Sequence, residues 1–592
     1  MHSFSVWAPN AKRVEVEVSR VRIPMKPAPD GWWLAEIASA EAGSEYAFVL
    51  DDGEPLPDPR SSWQPRGVTG PSRIVDHRAF SWTDRNWQPR PLSAAVIYEL
   101  HIGTFTPAGT FKSTIERLDS LVDLGITHVE LMPVAEFPGD RGWGYDGVDL
   151  YAPHHAYGTP NDLKLLVDAC HGRGLAVILD VVYNHLGPAG NHLARFGPYF
   201  TERYATPWGP AVNFDGPCSD EVRRFFCDNA LMWLRDYHFD GLRLDAVHAI
   251  IDGSAFHFLE QLACALKELE AETGRHLFLI AESDLNDPRI IRASAVGGYG
   301  IDAQWNDDFH HALHTVLTGE QDGYYVDFGS IEDLAKTLKN GFVYDYRYSK
   351  FRQRHFGRPR VSLSGDCLVG YAQNHDQIGN RANGERISHL VHMGKIKIAA
   401  ALVLASPFVP MLFQGEEWGA SSRFLYFTNH QDVELGRAVT EGRRREFATF
   451  GWEPSEVPDP QASATFEASK LNWDERQNDP HADILAWHKA LIRLRREEPA
   501  LTDGRLDRTQ VTFDEAAQWL ILRRGPIAVA CNLGASSATL PLVPDQELEI
   551  LLASDRRIRL CHGNVELVPD SVAIVRTRAA RDCCRTDDSA AD

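Results

Sequence analysis

The chain of 592 residues carries a formal net charge of −22 at pH 7, with 44% hydrophobic and 24% charged residues. Such a composition belongs to a globular protein able to bury a large core in several domains. The acidity argues against nucleic acid or an anionic membrane as main partner, because phosphates attract basic patches; a neutral, hydroxyl-rich ligand is indifferent to it.

Residues 1–90 read as short strands. Val14, Val16 and Val18 alternate with Glu15 and Glu17, and Asp30-Gly31 and Asp51-Asp52-Gly53 supply turns, which predicts a small β-sandwich with its tryptophans in the core. The Pro-rich stretch Trp87-Gln88-Pro89-Arg90-Pro91 reads as a linker. From Ala95 onward, apolar strands alternate with amphipathic helices. Strands are expected at 96–100, 128–131, 175–180, 241–245, 277–281, 301–304, 367–371 and 408–412, with long aromatic loops after the third and eighth. Eight such repeats predict an α/β fold, a closed (β/α)8 barrel over residues 91–501, whose active site lies at the C-terminal strand ends. Residues 502–580 return to alternation and predict a C-terminal β-sandwich, and 581–592 read as a disordered tail.

The first residues show no basic stretch ahead of an apolar run, and the longest apolar run, Ile398 to Phe413, is interrupted by Pro407 and Pro410. Neither a signal peptide nor a membrane span is expected. Nine cysteines without metal-ligand spacing suit a reducing, cytoplasmic setting.

The chemistry gathers on Gly241-Leu242-Arg243-Leu244-Asp245. Arg243 lies two residues before Asp245, on the same strand face, and a fixed cation there favours an ionised nucleophile. For an isolated Arg-x-Asp an ordinary ion pair is the commoner explanation. The company along the chain outweighs it: Ile280-Ala281-Glu282-Ser283 and Gln373-Asn374-His375-Asp376 end two further strands in carboxylates, and Asp180-Val181-Val182-Tyr183-Asn184-His185 ends another.

In this order these four segments resemble the signature regions of the α-amylase superfamily of glycoside hydrolases, and Phe4 to Ala11 resembles the opening of the immunoglobulin-like domain ahead of the barrel in branching and debranching enzymes. The resemblance implies that Asp245 is the nucleophile, Glu282 the general acid/base and Asp376 the carboxylate that stabilises the transition state. A retaining glycosidase needs one protonated and one ionised carboxyl about 5–5.5 Å apart, so Glu282 should have a raised pKa. His185 and His375 would bond sugar hydroxyls, and Tyr145 in Trp143-Gly144-Tyr145-Asp146 would stack under the reacting sugar. Asn184 matches a position that ligates calcium in many amylases. It lacks partner carboxylates, so a structural role, no required metal and no cofactor are expected.

Within the superfamily, Tyr98 to Phe111 is similar to branching enzymes and to malto-oligosyltrehalose trehalohydrolases, while Asp245-Ala246-Val247-His248, Trp305 to His311 and Gln377 to Ala382 favour the second family. That resemblance implies hydrolysis of malto-oligosyltrehalose to free trehalose, in functional pairing with malto-oligosyltrehalose synthase. Arg243, His248, Asp307, Asp308, His311, Gln377 and Asn380 would join the substrate-binding set. Capping of a helix N-terminus is the plain alternative for Asp307 or Asp308. A 1,4-α-glucan branching enzyme or a related α-amylase-type hydrolase is the alternative activity, since both would use the same carboxylates.

Overall fold

The computed structural model describes residues 2–358, 363–448, 453, 456–543 and 547–578; the tail read as disordered lies outside them. Eight parallel strands close into a barrel: β1 (Ile97–Leu100), β2 (His128–Leu131), β3 (Ala176–Val181), β4 (Gly241–Leu244), β5 (Phe278–Ala281), β6 (Ala303–Trp305), β7 (Leu368–Gly370) and β8 (Val409–Phe413), with β8 paired to β1. Each begins or ends within two residues of its expected place.

Side chains two apart on a strand share a face, and this period divides the barrel interior into layers. The lower layer is apolar: Ile97, Ile178, Phe278, Ile280, Ala303, Val369, Val409 and Met411 form one buried cluster. One step toward the C-terminal ends the same faces carry Glu99, Asp180, Arg243, Glu282 and Trp305. Register sets the polar neighbours side by side: Glu99 opposes Glu130, and Asp180 opposes Arg243.

On the N-terminal side, one sheet joins His2–Trp7, Trp32–Ile37 and Lys26–Pro27, and a second is built on Val14–Val18 and Glu45–Leu50. Val14, Val16, Val18 and Phe48 are buried between them. Trp7 is buried and meets Tyr199 of the barrel edge-on at 5.3 Å; Trp32 and Trp33 are half-buried. The stretch read as a linker is docked. Trp87 stacks on His171 at 4.6 Å and donates to Asp240 Oδ1 at 2.8 Å, beneath the barrel.

A five-stranded and a three-stranded sheet make up the C-terminal part. The five-stranded sheet packs on the helix Met393–Ala405, which also lies against the barrel. Coverage from both sides explains why this helix is apolar all round without crossing a bilayer. Among the described residues no helix is long and apolar enough to span a membrane.

Candidate active site

A cleft of about 340 Å³ opens at the C-terminal ends of the strands, lined by Trp143, Tyr145, Asp146, His185, Trp208, Asp245, Ala246, His248, Glu282, Asp376, Asn380, Tyr426 and Thr428. The three carboxylates expected to react therefore share one wall system, although Asp245 and Glu282 directly follow β4 and β5 and Asp376 sits in the short helix His375–Gly379 after β7. Of the further residues expected to bind substrate, Tyr145, His185, His248 and Asn380 also face it.

Arg243 organises the floor. It is fully buried, so it acts on the site from behind instead of touching a ligand. Its Nη1 donates to Asp180 Oδ2 at 2.7 Å and to Asp245 Oδ1 at 2.9 Å, its Nη2 lies 3.8 Å from Glu282 Oε2, and its plane sits 4.2 Å over the Trp305 ring. The other oxygen of Asp245 accepts from Asn184 Nδ2 at 2.7 Å, and Asn184 also donates to the Asp245 carbonyl at 2.8 Å. Asn184 thus fixes the orientation of Asp245, the structural role expected of it. Glu282 Oε2 accepts from the backbone N–H of Ala246 at 2.6 Å. Burial, reinforced by Asp245, Asp307 and Asp376 and opposed by Arg243, pushes the Glu282 carboxyl well above the usual carboxylate range. Asp376 is the most open of the three, its side chain 41% exposed, and accepts from Asn380 Nδ2 at 3.2 Å.

Tyr145 hydroxyl donates to Asp180 Oδ2 at 2.6 Å and meets His375 Nε2 at 2.7 Å. His185 lies flat on Trp208, ring centroids 4.2 Å apart, and burial lowers its pKa. Trp208 sits in the hairpin Phe200–Thr206/Gly209–Val212 and is 48% exposed, an aromatic face presented to the cleft.

Several expected binding residues stand elsewhere. Asp308 is buried, and its Oδ2 accepts from Asn286 Nδ2 at 2.8 Å, Val343 N at 2.6 Å and Tyr344 N at 2.8 Å, so it clasps two loops and offers nothing to a sugar. His311 packs into an aromatic group with Tyr324, Tyr325 and Phe328, where burial drives its pKa down to about 3. His375 is fully buried with both ring nitrogens engaged, instead of pointing at sugar hydroxyls. Asp307 is half-buried and accepts from the Tyr371 hydroxyl; burial outweighs that bond and moves its pKa to about 6. Gln377 accepts from Tyr324 hydroxyl at 3.3 Å, beside the cleft and outside its lining.

Sequence reading passed over Trp208, Asp146, Tyr426 and Thr428, which come from the loops after β2, β3 and β8 with no period to mark them, and the inward acids Glu99 and Glu130. The strand alternation could have exposed those acids, because each stands on the face of buried Ile97 or His128. Among the described residues one group could hold a metal ion: Glu136, His154 and His155, with ligand atoms within 4.8 Å of one another. Glu136 already accepts from His155 N at 2.7 Å and Nδ1 at 2.8 Å, and the group lies outside the cleft lining.

The closed barrel with its acids at the C-terminal rim defines a glycosidase of the α-amylase class. The alpha amylase catalytic-domain profile matches residues 75–198, and that of a domain of unknown function, DUF3459, matches residues 504–574. A malto-oligosyltrehalose trehalohydrolase of Arthrobacter ramosus is 51% identical over 91% of this chain and 94% of its own length; one of Mycobacterium tuberculosis is 48% identical over 97% and 99%. A crystal structure of a Salmonella typhimurium protein provisionally described as an alpha amylase superposes with a TM-score of 0.89, at 39% identity over 98% of this chain and 97% of that one. The chain belongs to the malto-oligosyltrehalose trehalohydrolase family.

Proposed function

We propose that the enzyme hydrolyses, with retention, the α-1,4-glucosidic bond joining a malto-oligosaccharide to a terminal trehalose, and so releases trehalose. The observation that carries the chemistry is the shared guanidinium of Arg243, 2.9 Å from Asp245 and 3.8 Å from Glu282, with the Glu282 carboxyl pushed up by burial and by neighbouring acids. A raised pKa keeps Glu282 protonated when substrate arrives. Glu282 gives its proton to the glycosidic oxygen as Asp245 attacks the anomeric carbon; trehalose leaves and a maltosyl-type ester remains on Asp245. Glu282, now ionised, takes a proton from water, whose oxygen resolves the ester and restores both groups. Asp376 supports the positive charge that develops on the ring.

In the same reading Tyr145 and Trp208 offer ring faces to sugar C–H groups, while His185, His248 and Asn380 supply polar contacts. The domain limits near residues 90 and 502, a functional pairing with malto-oligosyltrehalose synthase and a cytoplasmic setting belong to the proposal too. The seven described cysteines are all free thiols, which supports a reducing compartment.

The test is product analysis. Trehalose-terminated maltodextrin should yield trehalose, and plain maltoheptaose should be cut far more slowly. New α-1,6 branches on amylose, or equal rates on both oligosaccharides, would overturn the substrate assignment. Near-normal turnover by Asp245→Asn or Glu282→Gln would overturn the mechanism.

A further inference from the structure

We propose that Glu99 on β1 is a positioning residue of this reaction: its two carboxyl oxygens hold His375 as a doubly protonated imidazole, turned so that its charge faces Asp376 and its Nε2–H fixes Tyr145. The inference rests on the roles given above to Asp376 and Tyr145. It starts from the geometry of one buried side chain. Glu99 Oε1 is 2.5 Å from His375 Nδ1, and Glu99 Oε2 accepts from the His375 backbone N–H at 3.1 Å. A carboxylate has no proton to give, so Nδ1 donates. At the other end of the ring, Nε2 is 2.7 Å from the Tyr145 hydroxyl. That hydroxyl has one proton, and it goes to Asp180 Oδ2 at 2.6 Å, where the acceptor is a carboxyl already bonded to Arg243. The hydroxyl is therefore the acceptor toward His375, and Nε2 must donate as well. Both ring nitrogens then carry hydrogen, which makes the ring a cation.

The surroundings agree. His375 is enclosed by Glu99 from β1, Glu130 from β2, Tyr145 and Asp180, Arg243 from β4, Trp305 from β6, His101 and Trp143 after β1 and β2, and Asp376 beside it, whose Oδ1 lies 3.6 Å from Nε2. Burial disfavours a charged ring and Arg243 repels it, yet Asp376 and Glu99 outweigh both and raise the His375 pKa to about 9. Glu130 opposes Glu99 in register, and neither of its oxygens has a hydrogen-bond partner among the described residues. Burial, with Glu99 and Asp180 adding repulsion, pushes its pKa well up, so it holds a proton and adds no second negative charge beneath the ring.

The consequence is a hydrogen-bonded row, Glu99–His375–Tyr145–Asp180–Arg243–Asp245, that runs under the cleft from β1 to the nucleophile. It gives Asp376 a cationic neighbour on the side away from substrate, and it fixes the ring on which the reacting sugar would rest. Glu99 touches no ligand. Its effect passes through His375, so it should alter turnover and the pH profile more than binding.

The test reads the ring itself and then the reaction. In wild-type enzyme carrying ¹⁵N-histidine, with the His375 signal assigned through His375→Gln, the ring should show two protonated nitrogens at pH 8. In Glu99→Gln it should be neutral at that pH, and Glu99→Asp should restore part of the charged signal. With trehalose-capped maltodextrin, Glu99→Gln should lose about 100-fold in kcat with KM changed less than about threefold, as expected when a reacting group is misplaced by a fraction of an ångström. Its alkaline limb should move to lower pH. A neutral His375 in the wild-type enzyme at pH 7 would overturn the inference without any variant being needed. So would a Glu99→Gln enzyme with an unchanged ring signal or an unchanged kcat. Failure of the proposed mechanism would show separately, as an active Asp245→Asn enzyme whose His375 ring is still doubly protonated.

Discussion

Replacing Arg243 by lysine keeps the positive charge and removes the fork, which makes it a sharp test of how the floor of the cleft works. The guanidinium spans Asp180 and Asp245 with bonds of 2.7 and 2.9 Å from one nitrogen and lies 4.2 Å over Trp305. A lysine ammonium is a point charge that cannot meet both carboxylates and also stack. The loss is one charge-assisted hydrogen bond, about 1.5–3 kcal/mol, and a buried cation–π contact, about 2 kcal/mol. Expressed wholly in the transition state, roughly 3.5–5 kcal/mol corresponds to a fall in kcat of about 400- to 5000-fold. Because Arg243 is fully buried, KM should stay within about twofold. Steady-state kinetics on trehalose-capped maltodextrin measures both constants, with circular dichroism to verify folding. A rise in KM with kcat preserved would refute the reasoning, because it would mean that Arg243 binds substrate directly.

Trp208→Ala removes the exposed ring that stacks on His185 at the mouth of the cleft. KM should rise about 5- to 30-fold, from roughly 1–2 kcal/mol of lost stacking, with kcat little changed; an unaltered KM would place the sugar elsewhere. Asp308→Ala strips three N–H donors of their acceptor, so resistance to urea should fall by about 3 kcal/mol or more while KM is held. His171 bonds Asp84 Oδ2 at 2.8 Å and Asp240 Oδ2 at 3.1 Å, both nearly inaccessible, and His171→Gln should cost about 3 kcal/mol. Burial opposes the charge on His171, but bonds to Asp240 and Asp84 raise its pKa; the Asp84 carboxyl is in turn lowered against burial by His171 and His238. The histidine contribution is therefore complete below its ordinary value near pH 6.5 and fades as pH climbs through the raised one. The Asp84 contribution is complete above about pH 4 and fades on acidification. Protease resistance of the 80–91 segment should thus peak between about pH 4 and 6.5 and flatten in His171→Gln; a flat profile in the wild type would refute the latch.

The amino-acid order alone determined the barrel, because eight apolar runs at regular spacing have few other ways to bury both faces of a parallel strand. It also carried the three carboxylates, since each sits at the end of such a run and strand ends converge on one rim whatever the loops do. Orientation was another matter. Asp307 and Asp308 are adjacent, and the helix that begins at Asp307 sends consecutive side chains about 100° apart, so one stays beside the cleft while the other clasps Val343 and Tyr344. No local pattern states which of the two faces inward. Trp208 reached the cleft because the hairpin Phe200–Thr206/Gly209–Val212 in the loop after β3 folds back over the rim, a contact across loops that share no period. Glu99 and Glu130 became partners only through strand register, a property of the closed sheet. Spacing along a chain specifies which faces are buried, whereas the meeting of side chains from different elements depends on how those elements pack, and the chemistry beneath this cleft is made of such meetings.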